Sequence, residues 1–469
     1  MKTKYSLFSL FVLVAIVVGA CATPTPQTIV VTAPPQVVKE TQLVVQTAAP
    51  VVETQVVKET QVVQVTAPPA AAYTGPKTRV NLWHTIPTDT ETFFVAELMP
   101  KFNAAHPECT IVIRNLGIED PSIIRAGLTA GPGKGPDLWW MASSETGAYV
   151  DANVLGDVDG WLNQHPDIKS NIIPSLLDLS SYQGKVRSLP WMTNDTAMYL
   201  NVSAFDKAGV PVPSQDPTQT WTWDEFRTDM KKVTDANPGM KGFLVSVGGG
   251  WDFWTFHSWY AAAGGDGSKI PDLSSPEALK AVALHRALID DGSTLFSEAS
   301  KGWDPGPWLA QKVAVMADGP WNFSSLSTIK DFKFTVVPFP RDVKPAANLG
   351  GDQLFIGNNP DPKVQACSFA FGEYMLSDEF QIAFQINSGN LPVTKSASAS
   401  QQYQDHLKQY PFLFGFANEI PYGVARQPIP AFNDIQTIFS TAWDDVMLNN
   451  KPAQARFTAA QAEAAKLVK

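Results

Sequence analysis

The stretch from Gly184 to Phe226 constrains the fold most. A β-type run, Lys185 to Leu189, ends at Pro190-Trp191 and gives way to the polar residues Thr193, Asn194, Asp195 and Thr196. A second β-type run, Ala197 to Asn201, follows. A short helix, Ser203 to Ala208, is then stopped by Gly209, because glycine takes the left-handed conformation that ends a helix. The Pro-rich segment Val210 to Pro217 cannot continue it. Thr222 and Glu225 have the spacing of a capping box that opens the next helix.

Four pieces of this stretch, GKVRSLP, MYLN, FDKAG and TWTWDEF, stand in order at close spacing. Together they resemble the family 1 extracellular solute-binding proteins of ABC importers, the family that includes the maltose-binding proteins. MYLN departs from the family in placing Leu200 between Tyr199 and Asn201. A second run, Lys312 to Phe323 (KVAVMADGPWNF), resembles the family's "A-x-x-x-x-G-x-W" element, whose Trp stacks on sugar. The resemblance spans residues 78 to 469. It implies two α/β lobes of mixed sheets flanked by helices, with a ligand cleft between them. The implied crossings are near Thr193, near Gly350 and after Pro392.

The N-terminal region reads separately. Lys2 and Lys4 precede the apolar run Leu7 to Val18, which ends Val18-Gly19-Ala20-Cys21. This is a signal-peptide pattern and resembles a bacterial lipobox, with Cys21 as the lipidated residue. Residues 21–76 repeat VTAPP and QVVKETQ. They read as a Pro/Thr/Val/Gln tether that reaches on the order of 150 Å at about 3 Å per residue. The expected organisation is therefore a signal peptide at 1–20 and a tether at 21–76. Lobe I is expected from 77–193 plus 352–398, and lobe II from 194–351 plus 399–469.

The body alternates strand and helix: Arg79 to Trp83, a helix from Thr90 to His106, Thr110 to Arg114, a helix from Pro121 to Ala130, then Leu138 to Met141. The glycine run Gly131 to Asp137 lacks the Gly-Lys-Ser/Thr of a P-loop. Ligands of α/β lobes sit at carboxyl ends of strands. Here those ends are His84 and the Ser144-Glu145 pair. Candidate ligand residues are accordingly His84, Ser144, Glu145, Trp191, Asn194, Asp195, Gly351 and Asp352, with Trp251, Trp254 and Trp321 as stacking faces. A Gly-Gly-Gly turn before Trp251 can present its ring; the alternative for Trp254, as for Trp259, is the core of the following helix.

Net charge is −10, with no long basic run, which argues against nucleic acid. No HExxH or GxSxG occurs, and no catalytic, metal or cofactor site is read. Cys109 and Cys367 are expected in one lobe as buried thiols, with a disulfide as the alternative. The implied function is a lipid-anchored, extracytoplasmic, monomeric receptor that captures a carbohydrate and passes it to ABC permease subunits. The alternatives are another small polar metabolite, such as a glycerol phosphate ester, or a secreted carbohydrate-active enzyme. The first alternative calls for a basic cleft, and no Arg or Lys lies in the candidate loops.

Overall fold

The computed structural model describes residues 74–469, except 118–119, 132, 268, 270–271, 298–303 and 469. The signal segment, Cys21 and the tether up to residue 73 lie outside the described residues.

In chain order the strands are β1 (Thr78–His84), β2 (Cys109–Asn115), β3 (Leu138–Ala142), a small hairpin of β4 (Ser181–Tyr182) and β5 (Lys185–Val186), β6 (Leu189–Pro190), β7 (Asn194–Asp195) and β8 (Ala197–Asn201). There follow β9 (Lys241–Val245), β10 (Thr294–Phe296), β11 (Val313–Asp318), β12 (Phe334–Val337), β13 (Ala347–Gly350), β14 (Asp352–Ile356) and β15 (Gly423–Ala425). Lobe I is built on the sheet β2-β1-β3-β14-β6 and lobe II on β10-β9-β11-β8-β12. Both are mixed. In lobe I, β1 runs parallel to β2 and β3, and β14 runs antiparallel to β3 and β6. In lobe II, β9 runs parallel to β10 and β11, and β8 runs antiparallel to β11 and β12. A third, three-stranded sheet, β15-β13-β7, lies where the chain passes between lobes.

Helices cover both faces of each main sheet, so the central strands are apolar on both sides. Leu138 and Trp140 of β3 feed one core, while Trp139 and Met141 feed the core on the opposite face. Met198 and Leu200 of β8 face one core of lobe II, and Ala197 and Tyr199 face the other. This is the period-2 alternation of a strand with no solvent side.

Local signals set the helix ends. Thr222 Oγ1 accepts from the Glu225 N–H at 3.3 Å, and Glu225 Oε2 accepts from the Thr222 N–H at 2.8 Å. This capping box opens helix Trp223–Ala236. Gly209 closes helix Val202–Ala208 at φ 63°.

Three expectations are corrected. The helix predicted over 90–106 is Thr88–Phe93, a π-helical turn at Phe94–Leu98, then Met99–Ala105. Pro100, in the first turn of the next helix, has no N–H to give, and the wider turn takes up the mismatch. The strand expected from Lys185 to Leu189 is broken into β5 and β6, because Ser188 turns inward and donates to Gln353 Oε1 at 3.2 Å. Cys109 and Cys367 are a disulfide, not two thiols, with a Cα–Cα distance of 5.7 Å. Helix Pro362–Met375 packs into the lobe I core and carries Cys367 to the first residue of β2.

Among the described residues no helix is long and apolar enough to cross a membrane.

Candidate functional site

Three tryptophans from two segments of lobe II meet. Strand β9 leaves the sheet into Gly248-Gly249-Gly250, whose φ angles are 64°, 69° and 81°. Three successive left-handed residues need glycine, and a Cβ at Gly250 would strike the Gln436 side chain. The turn delivers the chain into helix Trp251–Ala262 at Trp251. Strand β11 leads through Gly319-Pro320 into a 3₁₀ turn, Pro320–Asn322, that carries Trp321. Trp251 stands edge-on to Trp254 at 5.0 Å and to Trp321 at 5.8 Å. Trp254 and Trp321 stack at 5.8 Å with 24° between their planes. Trp251 and Trp321 keep part of their surface exposed, while Trp254 is largely covered.

This cluster abuts the crossing sheet. A Cβ on Gly350, the last residue of β13, would stand 2.5 Å from Trp254 Cζ2 and 2.4 Å from Asn194 Oδ1. Asn194 in turn donates from Nδ2 to Asn390 Oδ1 at 3.1 Å. Asn194, Gly350 and Trp254 therefore converge at the junction of the lobes.

The same place holds a cation that sequence reasoning missed. The Arg426 guanidinium lies 4.9 Å over the Trp254 ring, a cation–π geometry. Its buried Nε has no hydrogen-bond partner among the described residues. Arg426 follows β15, in a proline-rich stretch without hydrophobic period, so no pattern flagged it. Asp318 was missed as well. It ends β11, three residues before Trp321, and is fully buried. Its Oδ1 accepts from the Gly319 N–H at 2.8 Å, and the Asn322 and Trp321 side chains stand close enough to favour its charged form. Burial pushes its carboxyl well above the ordinary range. The signal was available: a carboxylate at a strand's carboxyl end beside the Gly-Pro-Trp run.

Other candidates are placed differently. Trp191 is fully buried in lobe I, packed at 5.7–5.8 Å against Phe94, Phe371, Phe380 and Phe384. It is a core residue, because β6 turns it toward the helices. His84 is also fully buried. Its Nδ1 accepts from the Ile86 N–H at 3.1 Å, and Nε2 lies 3.4 Å from Glu91 Oε1. Burial lowers its pKa to about 4 against the pull of Glu91, so the ring is neutral near pH 7 and committed to its own loop.

Ser144 is buried in the 3₁₀ turn Ser143–Glu145 after β3. Both Glu145 oxygens are taken: Oε2 accepts from Arg125 Nη2 and Oε1 from Asn433 Nδ2, each at 2.8 Å. Asn433 belongs to helix Phe432–Met447 of lobe II. Glu145 thus bridges the lobes, as Asp89 does by accepting from Ser324 Oγ at 2.8 Å. Asp195 is fully buried in the crossing sheet. Gly351, at φ 131°, is pressed against the backbone of Met192 and Thr193. Asp352 opens β14, partly buried, and its carbonyl accepts from the Trp191 N–H at 3.1 Å.

Residues 97–409 match the family model of the bacterial extracellular solute-binding proteins. A Brucella abortus (strain 2308) protein, named only as a binding protein, is 24% identical over 389 residues, covering 80% of this chain and 90% of its own. UgpB from Mycobacterium tuberculosis, in complex with glycerophosphocholine, has a similar structure: TM-score 0.73, 18% identity, 84% of this chain and 99% of that one. The cyclic alpha-maltosyl-1,6-maltose binding protein from Arthrobacter globiformis superposes with TM-score 0.70 at 22% identity, over 83% and 98%. With a family model that spans two thirds of its length and the two-lobed fold of these structures, the chain belongs to the bacterial extracellular solute-binding proteins.

Proposed function

We propose that this protein captures a carbohydrate in the cleft between its lobes and delivers it to an ABC importer, without chemical change to the ligand. The observation that carries this reading is the cluster of Trp251, Trp254 and Trp321 beside the crossing sheet. Indole faces cover the C–H faces of sugar rings, and a few fixed polar groups select among hydroxyls. Lobes joined by short crossings close on a ligand by hinge motion. Relatives whose names or structures specify maltosyl ligands support the same class.

Trp321 is the main stacking face in this reading. About 80 Å² of ring covered by sugar is worth about 2 kcal/mol at about 25 cal/mol per Å². Trp321→Ala should therefore weaken binding about 30-fold. The test is a thermal-shift panel of mono- and oligosaccharides, followed by calorimetry on Trp321→Ala and a melt without ligand. The ligand should be recovered unchanged by mass. A large fall in ligand-free melting temperature with near-normal affinity would make Trp321 a core residue and remove the stacking role.

Arg426 favours a second reading. It supplies the basic group whose absence from the candidate loops counted against an anionic ligand. Including glycerophosphodiesters and sn-glycerol 3-phosphate in the panel separates the two. Tighter binding of these than of any neutral sugar would select the second reading.

The membrane anchor is part of the proposal. Cys21 directly follows Gly19-Ala20 and the apolar run. In a host that processes lipoproteins, wild type should fractionate with membrane and Cys21→Ala should not. Equal membrane association of the two would remove the anchor.

A further inference from the structure

Two buried carboxyls flank the crossing sheet and take no part in the indole cluster. Asp195 lies on β7, the first strand to pass between lobes, and pairs with Leu349 of β13. Glu419 stands four residues before β15, the other neighbour of β13. Its neighbour Ile420 packs against cores of both lobes. Asp195 is 0% exposed and Glu419 1%. Neither oxygen of Asp195 has a hydrogen-bond partner among the described residues. Glu419 Oε1 accepts from the Phe339 N–H at 2.8 Å, but Oε2 has no partner among the described residues.

Isolated buried carboxylates are too costly to stand. We propose that Asp195 and Glu419 form a proton-held latch at the hinge: while they retain a proton the crossing strands stay packed, and when it leaves to solvent the uncompensated buried charge loosens the hinge and favours the open form.

The surroundings support a proton rather than a counter-ion. Neither carboxyl forms an ion pair among the described residues. The Tyr403 phenol from helix Gln401–Gln409 feels the Asp195 charge and is itself driven up by burial and by that carboxyl. Asp252 and His257, from the helix Trp251–Ala262 packed on β13, are held by the Ser440 hydroxyl and the Phe253 carbonyl. His406 of the same helix packs on Phe323 and Tyr410 instead. Arg341, beyond Phe339, is attracted to Glu225. Burial raises both carboxyls well above their ordinary values of 3.8 and 4.5, and the charge of Asp195 raises Glu419 further. The sign follows. A carboxyl raised by folding contributes stability that is full below its ordinary value and is lost as pH rises through its folded value.

The test needs no ligand and so stands apart from the carbohydrate reading. Ligand-free full-length protein is followed by small-angle scattering and by melting, from acid pH to about pH 9. Infrared spectra are taken in parallel. Wild type should expand and lose melting temperature as pH rises. Asp195→Asn should flatten both trends and should lose a protonated-carboxyl C=O band present in wild type. Glu419→Gln, which keeps the acceptor for the Phe339 N–H, carries the same test if the first variant does not fold. Identical pH trends in wild type and variant, or no protonated-carboxyl band assignable to Asp195 or Glu419 at neutral pH, would overturn the latch.

Discussion

Breaking the Cys109–Cys367 bond should cost about 5 kcal/mol, the largest stability loss expected from any single covalent change in the body. The two cysteines are 258 residues apart in sequence. Cross-linking a loop of about 100 residues restricts the unfolded chain by about 4.7 kcal/mol, and each doubling adds about 0.6 kcal/mol. The location adds to the effect. Lobe I is assembled from an N-terminal part and from β14 with the helices after it, and lobe II intervenes between them in sequence. The bond ties the first residue of β2 to helix Pro362–Met375, and so closes lobe I across that interruption.

Cys109→Ser and Cys367→Ser should each lower the melting temperature by about 6 °C, at about 1.2 °C per kcal/mol for a body of this size. Reductant should do the same to wild type and nothing to the variants. A free-thiol count on denatured, unreduced full-length protein gives an independent check. Cys109 and Cys367 both titrating as free thiols would remove the bond and the predicted loss.

Much of the fold was legible because its signals are local. The Thr222–Glu225 capping box and the Gly209 stop each need only a few adjacent residues, and both are present as read. That the segments of Trp251 and Trp321 turn where the indoles begin was legible for a related reason. Each segment carries its own backbone cue, a glycine run or Gly-Pro, that forces the chain to turn where the indole begins.

What was not legible depends on neighbours far along the chain. Trp191 follows a proline and precedes a polar patch, and was a candidate ligand residue. Its partners Phe94, Phe371, Phe380 and Phe384 come from helices that no local pattern assigns to it. Glu145, at a strand's carboxyl end, and Asp195, in the polar patch, read as candidate ligand residues. Glu145 is instead consumed by Arg125 and Asn433, and Asp195 is sealed under the crossing sheet. Arg426 needed the opposite inference, that a cation in an unpatterned loop would fold back onto an indole.

Adjacent glycines at the second crossing should separate stability from binding. Gly351→Ala is expected to cost about 3 kcal/mol or more. Its φ of 131° is one that a side chain strains by about 1–3 kcal/mol. The new Cβ would also stand 2.4 Å from the Met192 carbonyl oxygen and 3.0 Å from Thr193 Cα. Those are backbone atoms of the first crossing, which cannot swing aside without parting β7 from β13. Gly350→Ala adds the same methyl one residue earlier, with a different outcome. There the Cβ meets the side chains of Asn194 and Trp254 at 2.4 and 2.5 Å. Side chains can move, so the fold should survive, but the moved indole is the one that holds Arg426 and stacks on Trp321. Gly350→Ala should melt near wild type and bind the tightest ligand of the panel about tenfold more weakly, a loss of about 1.4 kcal/mol. Gly351→Ala should melt far lower, with whatever fraction remains folded binding nearly as wild type does. Melting curves without ligand and calorimetric titrations of both variants read the two effects separately. If Gly350→Ala loses stability and keeps affinity, Trp254 is not part of the binding surface.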